Sequence, residues 1–416
     1  MSVIPAFNFF ASLILMGQFL FISILLTACN PPENELPEIV HIDPDRETGT
    51  SLATVTGDVP LAFTNQIFPF DSNGNLVGEA DINRQITRII DNIELAIIAA
   101  GTNMEALIRL HVYLSEDEFS ENVLQQLSTL LPEGSRPAIT FVSGQLTRPG
   151  VLVSMDAVAV APLASVNGRS TLYRSDKLAG PASRSHVSVL SPGRKIFISG
   201  QAEMADDLQG ATRNTMKSLF ATLAYAGATA EDITQIKAFI NPVDNAEEIE
   251  EEIVSFFRHR EAPPIVTLEW QHDNFPAEIE LVASAPADPK AGDIVGYYAP
   301  AWMTQMTTFS RLVDVHEGGL LFTSSLYGEE GQDGEIQART IFDKLTRLLD
   351  EAGSDYDHLV KGTYYPSTEA GRQGLLNVRT DFYNPDRPPA ASLAEIEGTG
   401  RSGKTLNIDM ISVIPE

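Results

Sequence analysis

Two carboxylates share one face of a short, otherwise apolar segment. Glu278 and Glu280 alternate with Ile279 and Leu281 in Glu278-Ile279-Glu280-Leu281-Val282-Ala283, and residues two apart on a strand point the same way. A carboxylate placed like this can move a proton or orient a water. Other chemistry is thinly provided. The seven histidines (His41, His111, His186, His259, His272, His316 and His358) contain no pair at the helical spacing of metal ligands, so neither a metal nor another cofactor is expected. Gly-rich phosphate loops are absent, and Gly318-Gly319 reads as a hairpin turn. The single cysteine, Cys29, excludes an intramolecular disulfide and leaves little for thiol catalysis.

The elements that must position these residues come in a repeat. Gly101, Gly227 and Gly353 each follow an alanine and precede, by six positions, an apolar residue (Leu107, Ile233, Leu359). They fall 126 residues apart (227 − 101 and 353 − 227). Pro137, Pro263 and Pro389 keep the same period. Equal spacing of matching local patterns marks an internal repeat. Before each glycine the apolar residues recur at three and four: Ile86, Ile89, Ile90, Ile93, Ile97; then Met216, Leu219, Leu223; then Ile341, Leu345, Leu348, Leu349. That spacing predicts amphipathic helices, each closed by a glycine in the left-handed conformation. Strands follow at Leu107 to Leu114, Ile233 to Ile240 and Leu359 to Tyr365. A second helix follows in each unit, over about 116–131 and 245–258 in the first two. The units end in two late strands. Three units are expected, over 52–162, 180–287 and 303–415, with 163–179 as a linker. Each reads as an α+β layer, a mixed sheet with two helices on one face.

The formal net charge is −28, and the first 28 residues carry no charged side chain. A polyanion has no electrostatic reason to bind phosphate backbones, so nucleic acid is not an expected partner. The densest acidic run, Glu247 to Glu252, is interrupted by Ile249 and reads as the solvated face of a helix. Residues 1–28 are mostly apolar and end Leu26-Thr27-Ala28-Cys29. They resemble a bacterial lipoprotein signal peptide, although the n-region lacks the usual Lys or Arg. The resemblance implies an acylated Cys29 and an extracytoplasmic, membrane-anchored chain in the cell envelope. The rival reading is an uncleaved membrane helix. Residues 30–51, rich in Pro and acid at their start, are expected to form a tether.

The repeat itself resembles the Rid/YjgF superfamily, the reactive-intermediate enamine/imine deaminases. The residues that carry this are the strand ending Phe197-Ile198-Ser199-Gly200-Gln201 behind Gly180-Pro181, the long helix into Ala-Gly followed by the 236–240 strand, the Pro-led late strand, and the closing 278–283 segment. The resemblance implies a chorismate-mutase-like fold in which single domains assemble as trimers with ligand clefts between subunits. Three fused copies then imply an intramolecular pseudo-trimer, monomeric as a chain, with a small molecule bound in inter-domain clefts. A sheet with helices on one face leaves its other face needing cover, and three such faces can cover one another about an axis.

Family members that deaminate carry an arginine just after the Pro-Ala of the late strand. It holds the substrate carboxylate through a two-pronged pair. They also carry a glutamate on the closing strand that handles water. The arginine position is occupied here by Ile139, Ile265 and Ala391, and the glutamate position by Ser154, Glu280 and Asn407. The aromatic hydroxyl that precedes the first strand aligns loosely with Arg184 and Phe309, and Ser199 either lines a cleft or ends a strand. Arg136, Arg260 and Arg387, just before the three prolines, would replace the lost arginine only if a loop turned inward. The expectation is a metabolite-binding Rid protein without standard deaminase activity. The alternative is a divergent 2-iminobutanoate/2-iminopropanoate deaminase-like hydrolase with Glu280 catalytic, and a third reading is a purely structural, protein-binding pseudo-trimer.

Overall fold

The helices form where the apolar stripes lie, and each stripe becomes a buried face. In α1 (Ile82–Ala99) the side chains of Ile86, Ile89, Ile93 and Ile97 are inaccessible to water. Each such isoleucine contributes about 1.5–3 kcal/mol of burial. Asp81 caps the first turn by accepting from Arg84 N, and Asp207 and Asp333 do the same for α3 (Leu208–Tyr225) and α5 (Gly334–Ala352). Gly101, Gly227 and Gly353 follow these helices at φ +81°, +75° and +74°, the left-handed turn that a Cβ disfavours. Shorter helices pack beside them: α2 (Phe119–Leu130), α4 (Ala246–Val254) and α6 (Glu369–Val378). The computed structural model describes residues 37–162, 168–272, 274–288 and 292–415. The expected signal peptide and Cys29 lie outside them. Among the described residues no helix is long and apolar enough to cross a membrane.

The strands are β1 (Ile39–Asp45), β2 (Thr50–Thr56), β3 (Leu61–Thr64), β4 (Leu107–Leu114), β5 (Ala138–Ser143) and β6 (Val153–Val160). Then come β7 (Thr171–Tyr173), β8 (Val187–Leu190), β9 (Lys195–Gln201), β10 (Ile233–Ile240), β11 (Ile265–Glu269) and β12 (Ala277–Ser284). The chain closes with β13 (Val295–Tyr298), β14 (Leu312–Val315), β15 (Gly319–Thr323), β16 (Leu326–Tyr327), β17 (Leu359–Pro366), β18 (Ala390–Leu393) and β19 (Leu406–Ile414). One four-strand order recurs: β5-β4-β6-β3, β11-β10-β12-β9 and β18-β17-β19-β15. In each the first pair is parallel and the other two are antiparallel. β4 and β10 are buried on both faces, yet their apolar runs are broken by Arg109 and His111 in β4 and by Gln235 and Lys237 in β10.

The opening strand of each stretch makes its main pairing outside its own four, β2 keeping one residue pair with β5 (Ser51 with Ala138). β8 pairs with β3, β14 with β9, and β2 with β15, all antiparallel. The β3, β9 and β15 edges are thereby extended by a strand from another stretch, which leaves fewer backbone donors and acceptors open there. This corrects the reading of Gly318-Gly319 as a hairpin turn: β14 and β15 on either side pair with different partners. Two further segments differ from expectation. Within the expected tether, Ile39–Asp45 is a strand paired with β2, with Val40 opposite Val55 and Ile42 opposite Ala53. Within the expected linker, Thr171–Tyr173 pairs with β8. Both runs are short, and their apolar residues become useful only beside a partner strand.

Three apolar cores lie under the helix pairs. A fourth cluster joins Tyr113, Phe239 and Tyr365, fully buried and 126 residues apart (239 − 113 and 365 − 239). Matching positions of the repeat therefore meet in space. The fold is a mixed α+β architecture with the unit present at least twice.

Candidate functional site

A cleft of ≈ 340 Å³ opens between the first and second stretches. Its first wall is Asn65, Gln66, Ile67, Phe68 and Phe70, which continue from β3, with Asn92 from α1 and Arg148 from the β5–β6 connection. Its second wall is the 178–186 segment with Arg184 and His186, Glu247, Glu250 and Glu251 of α4, and Ile265 at the start of β11. Two of the residues predicted to line a ligand cleft, Arg184 and Ile265, meet here. Ser154, expected at the glutamate position, lies at the same interface. Gln66 closes it off: its Nε2 donates to Ser154 Oγ at 3.0 Å, and its Oε1 accepts from Thr267 N at 3.1 Å.

The charges in this cleft are organised by Glu250. Its carboxylate accepts from Arg148 Nη2 at 2.7 Å and from Arg184 Nη1. Glu247, Glu248 and Glu251 lie on a solvated face as expected, but Glu250 is 4 % exposed, which corrects that reading for this residue. Glu252 is buried too, in a two-pronged pair with Arg213 at 2.7 Å. Glu247 lies 3.6 Å from Arg148 Nε. Phe68 stacks on Phe70 with centroids 5.7 Å apart, and the Arg148 guanidinium lies 5.2 Å from the Phe68 ring centroid. His186 is held neutral: burial, then the charge of Arg174, push its pKa down to about 4. Its Nδ1 accepts from Ser175 N at 3.1 Å. Asn92, 3 % exposed, donates from Nδ2 to the carbonyls of Phe68 and Phe70 at 3.0 and 2.9 Å. Those two bonds fix the amide's orientation and leave Oδ1 as a shielded acceptor without a partner. Arg184 Nε is a shielded donor without one.

The interface between the second and third stretches contains Glu280, and it is stitched shut. Glu280 Oε2 is 2.5 Å from Lys361 Nζ and accepts from Ser392 Oγ. Lys361 also donates to Ser392 Oγ at 3.0 Å. Ser199 Oγ accepts from Ala391 N at 2.7 Å and donates to Ser310 O at 2.5 Å, so its hydroxyl is used up in the seam. Glu278 packs against Gly200, where an added Cβ would lie 2.1 Å from its Oε1. Its pKa is pushed up to about 8, by burial of the carboxyl first and the charge of Glu280 second. Phe309 lies under the guanidinium of Arg311 at 4.9 Å.

The interface between the third and first stretches repeats this stitching. Ser324 Oγ accepts from Ile139 N at 2.6 Å and donates to Ser51 O at 2.7 Å, matching Ser199. Asn407 Nδ2 donates to Phe141 O at 2.5 Å. The three loop arginines turn elsewhere. Arg136 donates to Ser135 O at 2.6 Å and Arg387 to Asp357 O at 3.0 Å, while Arg260 is flanked by Glu231, Asp232 and Glu261.

Where the stretches converge, a second polar group is buried. Arg109 Nη2 is 2.5 Å from Asp409 Oδ1, and His111 lies between Asp156 at 3.1 Å and Asp409 at 3.3 Å. Tyr113 OH donates to Asp156 at 2.5 Å, and Lys237 Nζ is 3.5 Å from His111 Nδ1. Burial pushes both aspartates up. His111 with Lys237 overcomes it at Asp156, and Arg109 with His111 at Asp409, so both stay well below the usual carboxylate range. Among the described residues no group of acids and histidines is arranged to hold a metal.

The family of this architecture is decided by comparison. The model of the family described as Endoribonuclease L-PSP matches residues 50–161 and again 178–285, which is 112 and 108 residues, over half of the 416. The chain belongs to this family. Its Rid-like unit is present in tandem. Similar solved structures include a Rid-family protein from Yersinia pestis, with 23 % identity, 29 % of this chain and 98 % of that chain covered, and a TM-score of 0.27. A YjgF-family protein from Neisseria meningitidis gives 20 %, 29 %, 96 % and 0.22, and the YjgF protein of E. coli 22 %, 22 %, 81 % and 0.21. Within a Rid-like repeat the missed residues Gln66, Asn92, Arg148, Glu250 and Lys361 carried different signals. Lys361 interrupts an apolar strand, as Arg109, His111 and Lys237 do, and that was legible. Arg148 and Glu250, in a loop and an acidic run, gave no sign of meeting.

Proposed function

We propose that this Rid-family chain is an intramolecular pseudo-trimer of three Rid-like domains (52–162, 180–287 and 303–415). It binds a small metabolite in the cleft between the first two, without the family's imine hydrolysis. The three reciprocal strand pairings and the meeting of Tyr113, Phe239 and Tyr365 support the pseudo-trimer. The observation that carries the ligand reading is the open cleft of ≈ 340 Å³, lined by Asn92 and Arg184, whose shielded Oδ1 and Nε have no partner in the protein. Buried polar atoms are otherwise nearly always paired. Against hydrolysis stand Ile139, Ile265 and Ala391 at the arginine position. The alternative of Glu280 as the water-handling acid has against it the Lys361 ion pair and the Ser392 hydroxyl, which occupy that carboxylate in a buried seam. By its leader the chain is anchored through Cys29 outside the cytoplasm, and with −28 formal charges it is no partner for RNA.

The test pairs two readouts on the full-length protein in detergent: release of 2-oxo acid from imines made in situ, and thermal stabilisation by a library of small metabolites. No acceleration, with stabilisation that disappears in a cleft-blocking Ile265→Trp variant, is the expected result. Accelerated release that Glu280→Ala abolishes would favour the hydrolase instead.

A further inference from the structure

We infer that the cleft between the first two repeats selects a small cationic amine with an aromatic or other apolar body, and discriminates against carboxylates; this rests on the ligand reading above. Three carboxylates face the cleft (Glu247, Glu250, Glu251) against two guanidinium groups (Arg148, Arg184). Both guanidinium groups are already committed to Glu250. A ligand carboxylate would have to displace Glu250, which is 4 % exposed, and an uncompensated buried charge is strongly unfavourable. An ammonium group meets no such obstacle. Glu251 has no ion-pair partner among the described residues, and Glu247 is held only at 3.6 Å.

The second, independent observation is Asn92. Asn92 lines the cleft, its amide is oriented by two carbonyls, and its Oδ1, though shielded from water, has no donor in the protein. An ammonium supplies three. The stacked Phe68 and Phe70 rings form the apolar wall, and Phe68 already takes one cation on its face, as ring quadrupoles favour. Arg184 Nε, shielded in the same way, is a donor without an acceptor in the protein. A ring-bearing amine with a hydroxyl oxygen satisfies all of these together.

The experiment is calorimetric titration of the full-length protein in detergent with three probes of similar size: phenethylamine, tyramine and 3-phenylpropionate. The amines are expected to bind at least about tenfold tighter than the propionate, a difference of about 1.4 kcal/mol, and tyramine no more weakly than phenethylamine. The double variant Glu247→Gln/Glu251→Gln keeps the helix but lowers the charge, and amine affinity should fall about tenfold. Equal or tighter binding of 3-phenylpropionate overturns the inference, and if Ile265→Trp abolishes that binding the ligand reading survives. Amine binding unchanged in the double variant overturns it as well. If no probe binds, the inference fails, and library stabilisation sensitive to Ile265→Trp decides the ligand reading separately.

Discussion

Replacing Glu278 by glutamine should make the protein less sensitive to pH, in a window set by one carboxyl. Glu278 keeps some exposed surface along its strand, but its Oε1 is shielded and without a partner. Its pKa is pushed from an ordinary 4.5 up to about 8. A pKa raised by folding means that the folded state binds the proton more tightly. The stabilisation is therefore full below about 4.5 and is lost as pH rises through about 8. The slope approaches about 1.4 kcal/mol per pH unit, so between pH 5 and pH 8 the wild type loses about 3 kcal/mol through this group. Glutamine imitates the protonated acid at every pH. Urea unfolding of both proteins at pH 5, 6, 7 and 8 isolates the effect in the difference between them. Near-equal stability at pH 5 and a variant more stable by about 3 kcal/mol at pH 8 is the expected pattern. Parallel pH profiles would refute the argument, because they would mean that Glu278 is ionised or solvated in the folded state.

Two other buried groups make related predictions. Lys361→Met leaves Glu280 uncompensated in the seam and should cost about 3–5 kcal/mol in urea unfolding, whereas the double variant Lys361→Met/Glu280→Leu should recover most of the loss, because a buried ion pair is worth little more than an apolar pair of similar volume. Asp409→Asn removes the counter-charge of Arg109 and one of the two acids on His111. It should lower stability by a similar amount of about 3–5 kcal/mol, with a fall of less than 1 kcal/mol indicating that water reaches the network.

The repeat was legible because its signals are local. The isoleucine stripe of α1, the 126-residue spacing of the glycines and the apolar strands after them each depend on residues within one turn or one pleat, and they formed where the spacing placed them. The strand exchange was not legible. β3, β8 and β14 have four residues each, and whether a hairpin closes or opens outward depends on partners more than a hundred residues away. The same limit applied to the seams. Ser199 and Ser324 look like strand ends in sequence, and only their position across from Ala391 N and Ile139 N makes them stitches. The apolar residues that follow the three prolines, Ile139, Ile265 and Ala391, could be read from the sequence alone. That Arg148 and Arg184 converge on Glu250 could not, because residues 148, 184 and 250 belong to three unconnected segments. The charges on the buried strands were readable in principle, since Arg109, His111, Lys237 and Lys361 each break an apolar run.

The most direct test of the account is the rate at which the full-length protein releases 2-oxo acids from imines generated by an amino-acid oxidase, measured beside Glu280→Ala. On the proposed reading, in which Ile139, Ile265 and Ala391 stand in place of the arginine, and with Glu280 committed to Lys361 and Ser392, the rate should equal the uncatalysed rate for each imine, and the variant should not differ. Acceleration by the wild type that the variant loses would contradict the account and make the buried seam a working active site.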